Sequence, residues 1–120
     1  MKTLVLGASE NPERYANKAI LSLAKHGHEV VGIGAKKGMV QGVEIFSESI
    51  DFKDIDTITI YLSVSNQEKY YDYIFSLKPR RIIFNPGAEN PVLADLARKK
   101  GIEVLEACTL VLLSIGNYEH

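Results

Sequence analysis

Two periodicities alternate along this chain. Thr3-Leu4-Val5-Leu6 is a continuous apolar run broken by Gly7-Ala8-Ser9-Glu10-Asn11-Pro12, the pattern of a buried strand ending in a turn. From Tyr15 to His26 the period changes: Ala16, Ala19, Ile20, Leu23 and Ala24 recur at helical spacing, with Lys18, Ser22 and Lys25 on the other side. Gly27 stops that helix, and His28 to Ile33 reads as a second strand, so the opening is a strand-helix-strand unit of parallel-crossover length. Thr57 to Leu62, rich in β-branched residues, predicts a central third strand. Ser65 or Asn66 caps the next helix, with Glu68 in its first turn, and Pro79 ends it. Arg81 to Phe84 is the fourth strand. Asn90-Pro91, a cap followed by a first-turn proline, starts a helix that Gly101 stops. Ile102 to Leu105 is the fifth strand, and Thr109 to Ile115 a final apolar helix or turn.

Gly34 to Asp56 fits neither period. Val40 to Ile45 reads as a small β excursion not counted among the five strands, and Ser47 to Asp54 as holding one helical turn. Strands alternating with helices predict an α/β fold: a doubly wound parallel sheet of five strands, order 3-2-1-4-5, with helices on both faces. Crossovers of this kind are right-handed, so the carboxyl ends of the strands share one edge, and ligands lie beyond that edge.

Composition narrows the class. A chain of 120 residues predicts one domain over 1–120, and 46% hydrophobic with 24% charged residues describes an ordinary globule. The net charge of −1 gives no support for a nucleic-acid partner or an anionic membrane surface. No apolar run approaches the roughly 18 residues of a membrane span. The first apolar run is also too short for a signal-peptide core. The single cysteine excludes an internal disulfide and points to a reducing compartment, so a cytoplasmic protein is expected.

Candidate chemistry lies in the loops of the carboxyl edge: Gly7 to Arg14, Gly34 to Gly38, Leu62 to Asn66, Asn85 to Asn90 and Glu106 to Thr109. Gly7 bends sharply and lets a ligand approach the backbone. Ser9, Asn11 and the amides that begin the first helix add donors for an anion. The stretch lacks both the full G-x-G-x-x-G pattern and the Gly-Lys-Ser/Thr of a P-loop. After the second strand, where NAD enzymes place an acid for the ribose hydroxyls, stand Gly34, Ala35, Lys36 and Lys37. Lysine there suits a ribose bearing a phosphate, as in NADP or coenzyme A; the plainer reading is two solvated lysines. Leu62, Ser63, Asn85, Pro86 and Gly87 sit where adenine or the chain beyond a pyrophosphate would pass, and equally where an ordinary connection would.

The order of these pieces resembles the small single-domain CoA-binding proteins, whose domain also opens the succinyl-CoA synthetase alpha subunit. The resemblance rests on Gly7-Ala8-Ser9-x-Asn11-Pro12-x-Arg14-Tyr15, Gly27-His28-Glu29-Val30-Val31 and Lys78-Pro79, then on Asn85-Pro86-Gly87-Ala88-Glu89-Asn90, Gly101-Ile102-Glu103-Val104 and Glu106-Ala107-Cys108-Thr109-Leu110-Val111. It implies a Rossmann-like fold with CoA or an acyl-CoA across the carboxyl edge. By position, Gly7, Ala8, Ser9 and Arg14 would hold the pyrophosphate, Lys36 or Lys37 the phosphorylated ribose, and Leu62 and Ser63 the adenosine side. Gly87 and Cys108 would lie towards the pantetheine. Asn11, Gly34, Asn85 and Pro86 complete the expected binding set. Many members have Asn-Pro where this chain has Gly34-Ala35.

The expected function is therefore a CoA-binding module without catalysis. The synthetase subunit keeps its phosphorylated histidine in a second domain, so ligase activity is not inherited. His26 and His28 flank a turn away from the ligand edge, and His120 is terminal. No catalytic or metal-ligating set is expected: Asp51, Asp54 and Asp56 read as solvated turn carboxylates, and no His and Cys cluster occurs. Cys108 reads as a small core residue or as a thiol near the pantetheine. Two rivals remain, an NADP-type binding domain or oxidoreductase fragment and an interaction scaffold without ligand; a protein partner or homodimer is left open.

Overall fold

In Thr3–Leu6 (β1) side chains alternate, Leu4 and Leu6 to one face of a sheet and Val5 to the other, and all three are fully buried. A strand apolar on both sides must be covered on both sides. The computed structural model, which describes residues 1–119, resolves this as an α/β sandwich; His120 lies outside the described residues.

Seven strands form one sheet: β1, Val30–Ile33 (β2), Gly38–Val40 (β3), Val43–Phe46 (β4), Thr57–Ile60 (β5), Arg81–Phe84 (β6) and Glu103–Glu106 (β7). The helices are Tyr15–Lys25 (α1), Val64–Gln67 (α2), Tyr71–Ser76 (α3), Pro91–Lys99 (α4) and Thr109–Ser114 (α5), with a 3₁₀ turn at Glu68–Tyr70. On one face Leu4, Leu6, Ile58, Ile60, Ile82 and Phe84 pack with Ile74, Leu93 and Ala97 from α3 and α4. On the other, Val5 and Ile83 pack with Ile20 and Leu23 of α1 and Leu113 of α5.

The sheet order is β3-β4-β2-β1-β5-β6-β7, which corrects the expected five strands in order 3-2-1-4-5. The Thr57 strand lies directly beside β1, with Leu4 opposite Ile58, and not beyond β2. The place beyond β2 belongs to β4, which pairs parallel to it through Gly32 opposite Ile45. Without antiparallel β3, the six parallel strands follow the dinucleotide-fold order 3-2-1-4-5-6. The small β excursion expected at Val40 to Ile45 is this hairpin, and what was not expected is that it joins the sheet; its turn is Gln41-Gly42. Both residues have positive φ, 44° and 85°, as a primed two-residue turn requires, yet Gln is not among the residues that announce one.

Two local expectations also change. Residues 47–54 form bends and irregular chain, with no helical turn. The helix expected from Ser65 or Asn66 is broken into α2, the 3₁₀ turn and α3, and its start is capped in position by Ser63, without a side-chain bond. Val, Ser, Asn and three tyrosines are modest helix formers, so tertiary bonds decide the path here.

At the amino edge of the sheet lies a fully buried arginine. Nε of Arg81 donates to Thr57 Oγ1 at 3.1 Å, and that hydroxyl donates to Asp56 Oδ2 at 2.7 Å. Its guanidinium lies 4.6 Å from the Tyr118 ring centroid, while Nη1 and Nη2 have no hydrogen-bond partner among the described residues. Tyr118 is itself pinned, its hydroxyl 2.6 Å from Thr3 Oγ1.

Candidate functional site

The chain reverses sheet direction between β1 and β5: α1 leaves to one face, α2 and α3 to the other, so the loops that follow these two paired strands diverge at the carboxyl edge. A cleft of about 930 Å³ opens there, at the upper end of the range for small-molecule sites. Its walls are the loop from Gly7 to Ala16, Ala35 and Lys36 after β2, Tyr61 to Ser63 after β5, and Pro86 to Ala88 after β6.

The first loop is built by backbone constraints. Gly7 (φ +98°) and Ala8 both donate to the carbonyl of Ile33, at 2.8 and 2.9 Å, so the chain leaves β1 pressed against the end of β2. Gly7 also sits tightly under β5: a β-carbon there would lie 3.1 Å from the Tyr61 carbonyl carbon. Ser9 Oγ then accepts from the Asn11 amide at 3.0 Å, and Asn11 Oδ1 from the Glu13 amide at 3.0 Å. Two short side chains thus fold the loop on itself. The Ser9 hydrogen and the Asn11 amide nitrogen remain as outward donors. Asn17, buried, ties the loop to α1 by donating to the Ser9 carbonyl at 3.0 Å. The helix begins at Tyr15 after Arg14, and the amides of Tyr15 and Ala16, both residues of the cleft wall, have no backbone partner among the described residues.

On the opposite wall Gln67, fully buried, bridges two loops: its Nε2 donates to the carbonyls of Leu62 (2.9 Å) and Ala88 (2.8 Å). Asn90 completes the lock, donating to Gln67 Oε1 at 3.0 Å while its own Oδ1 caps α4 at Leu93. Gly87 turns with φ +91° and donates to Glu89 Oε1 at 2.8 Å. The Leu62 and Gly87 loops are therefore tied to each other through Gln67.

Of the expected binding residues, Gly7, Ala8, Ser9, Asn11, Arg14, Lys36, Leu62, Ser63, Pro86 and Gly87 line this cleft. Gly34, Lys37, Asn85 and Cys108 do not. Gly34 serves packing: its amide donates to Phe46 at 2.9 Å, and a β-carbon on it would fall 2.1 Å from the Ala8 carbonyl oxygen. Asn85 is buried with its side chain spent on the fold: Nδ2 donates to Thr59 Oγ1 (2.6 Å) and the Ile60 carbonyl (2.9 Å), and Oδ1 accepts from the Thr109 amide (2.9 Å). Cys108 is half-buried where α5 begins.

Glu10, Glu13, Ala35 and Ala88 also line the cleft; they fall in the loops selected from sequence but outside the expected binding set, whereas Tyr15, Ala16 and Tyr61 lie outside those loops. Tyr61 had a signal. It follows β5 in the same alternation as Thr57 and Thr59, which turns it towards the α1 face. Its hydroxyl is buried without a hydrogen-bond partner among the described residues, while Thr59 and Thr109 nearby bond each other at 2.7 Å. Burial pushes the phenol up to about 12, outweighing the pull of those hydroxyls, so Tyr61 stays neutral. The role of Glu10 had none, because its partner, the Met39 amide at 2.9 Å, lies 29 residues away in the hairpin that joins the sheet.

Arg14 and Lys36 are matched on these walls by Glu10 and Glu13, so an anion would be drawn mainly by oriented amides, with each cation acting locally. Among the described residues no group of three or more His, Cys, Asp or Glu side chains converges as a metal site, and no helix is long and apolar enough to cross a membrane.

Comparison with known proteins shows the same fold in solved structures. A crystal structure of a protein described as uncharacterized is 47% identical, with a TM-score of 0.94 over 97% of this chain and 96% of that one. A conserved hypothetical protein from Pyrococcus furiosus is 23% identical with a TM-score of 0.79, covering 92% of this chain and 97% of its own. The fold also recurs in a dinucleotide forming acetyl-coenzyme A synthetase 1 from Ca. Korarchaeum cryptofilum, at 19% identity and a TM-score of 0.70. There the match spans 88% of this chain but 25% of that one. No curated protein matches. The family model for a CoA binding domain matches residues 1–114, nearly the whole chain, and the protein belongs to that family.

Proposed function

We propose that this protein is a non-catalytic module, spanning 1–120, that holds CoA or an acyl-CoA in the cleft at the carboxyl edge of its sheet. The observation that carries the reading is the meeting, in one cleft, of the amide-rich loop from Gly7 to Arg14 with Lys36. A pyrophosphate would lie on the first loop and the start of α1, and Lys36 would meet the phosphate on the ribose; Lys37 lies off the walls. Leu62 and Ser63 would border the adenosine. The pantetheine would leave past Pro86 and Gly87.

Holding without reacting suits the polar groups of the walls. Glu10 accepts the Met39 amide, and Tyr61 is kept a neutral phenol by burial, so the phenol is not poised to exchange a proton near pH 7. Thermal unfolding with added ligand tests the proposal. CoA at a hundred times its Kd adds about 2.7 kcal/mol of stability, and NADP at the same concentration adds less. A larger effect from NADP would replace the reading with the dinucleotide one, and no effect from either would favour a scaffold.

A further inference from the structure

The segment that carries Lys36 is short and is fixed at both ends. At one end Gly34 is immobilised by its bond to Phe46 and by its close fit against the Ala8 carbonyl. At the other, Glu10 reaches from the first loop and accepts the Met39 amide through Oε2 at 2.9 Å. The carboxyl group of Glu10 lies flat on Gly38, in space that any larger residue would need: a β-carbon on Gly38 would fall 2.3 Å from Glu10 Cδ. Gly38 has no positive φ, so backbone conformation does not demand glycine there; the carboxylate does. A carboxylate in an anion-binding cleft is electrostatically adverse, which makes its retention in this posture informative.

Resting on the CoA reading above, we propose that Glu10 is a positioning residue that latches the β3 hairpin to the first loop and so holds Lys36 where a ribose phosphate is recognised. The ligand class it selects is a nucleotide whose sugar carries a separate phosphate. Glu10 does not touch that phosphate; it sets the place of the lysine that does.

Three variants separate the latch from its alternatives. Glu10→Ala removes the acceptor. Gly38→Ala leaves Glu10 in the sequence but evicts its flexible side chain from the Met39 amide. Glu10→Gln keeps an acceptor oxygen and removes the charge. The readouts are hydrogen exchange at the Met39 amide and titration calorimetry with CoA and with dephospho-CoA. In Glu10→Ala and Gly38→Ala the Met39 amide exchanges faster, CoA binding weakens by about tenfold, the worth of one well-placed charged contact, and dephospho-CoA binding changes less than about twofold. In Glu10→Gln the Met39 amide exchanges as in wild type, and CoA binding is not weakened. Equal weakening for the two ligands, or unchanged Met39 exchange, overturns the latch. A wild-type protein that binds CoA and dephospho-CoA equally overturns the ribose-phosphate reading and with it any role of Glu10 in selection. Met39 exchange, which needs no ligand, distinguishes that failure from failure of the latch itself.

Discussion

Asn85 separates residues that build the cleft from residues that touch what lies in it. It stands in the expected binding set, yet its side chain makes three bonds into the fold, joining the ends of β5 and β6 to the start of α5. Asn85→Ala removes all three and leaves the Ile60 carbonyl and the Thr109 amide buried without this partner. At about 1 kcal/mol net for each bond the loss is about 3 kcal/mol, and orphaned groups add to it. For a domain of this size that lowers the midpoint of thermal unfolding by roughly 10 °C. The assay is urea unfolding followed by circular dichroism, paired with CoA calorimetry well below the midpoint. The expected outcome is a lower urea midpoint at constant slope, with CoA affinity of the folded protein within about threefold of wild type. Unchanged stability with abolished binding would refute the reasoning and make Asn85 a ligand residue.

Other expectations follow from the same contacts. Gly34→Ala places a methyl group 2.1 Å from the Ala8 carbonyl, which two bonds to Ile33 hold in place. It should cost about 3 kcal/mol in urea unfolding, and an unchanged midpoint would contradict the packing role. Arg81→Met should be neutral or stabilising by about 1–2 kcal/mol, because it exchanges a buried, under-bonded cation for an apolar chain of similar length. A loss of more than about 3 kcal/mol would show that the Tyr118 and Thr57 contacts more than offset its desolvation. His28 is buried beside the amino terminus, whose nitrogen lies 3.0 Å from Nδ1; burial first, then that charge, lowers its pKa below the ordinary 6.5, with Glu119 opposing and His26 assisting. The unfolded chain then binds more protons between the folded value and 6.5, so stability is full above 6.5 and declines as the pH falls through that window. His28→Gln should flatten the decline in stability measured between pH 7 and 5, and a slope equal to wild type would sink the assignment.

Much of this architecture was legible because burial on both faces writes long-lived patterns. β1, β5 and β6 read as continuous apolar or β-branched runs, and Asn90-Pro91 announced α4 with both its cap and its proline. What could not be read depended on partners distant in the chain. β4 was read only as part of a small β excursion, and its place beside β2 is set by pairing, so without it the Thr57 strand was put on the wrong side of β1. In the cleft, Gly7, Ser9 and Arg14 were visible because a glycine turn before a helix start is a local signal. Glu10 and Gln67 were not, since their roles come from Met39 and Ala88, whose positions only the folded sheet supplies. Asn85 was visible as a polar residue at a strand end, but nothing local tells a group that faces ligand from one that closes a buried network.

The central claim is that CoA rests in the cleft at the carboxyl edge, and a crystal structure of the protein grown with CoA tests it most directly. The account predicts density for the pyrophosphate against the loop from Gly7 to Arg14 and for the ribose phosphate within hydrogen-bond reach of Lys36. CoA bound at any other surface, with that cleft filled by protein side chains, would contradict it.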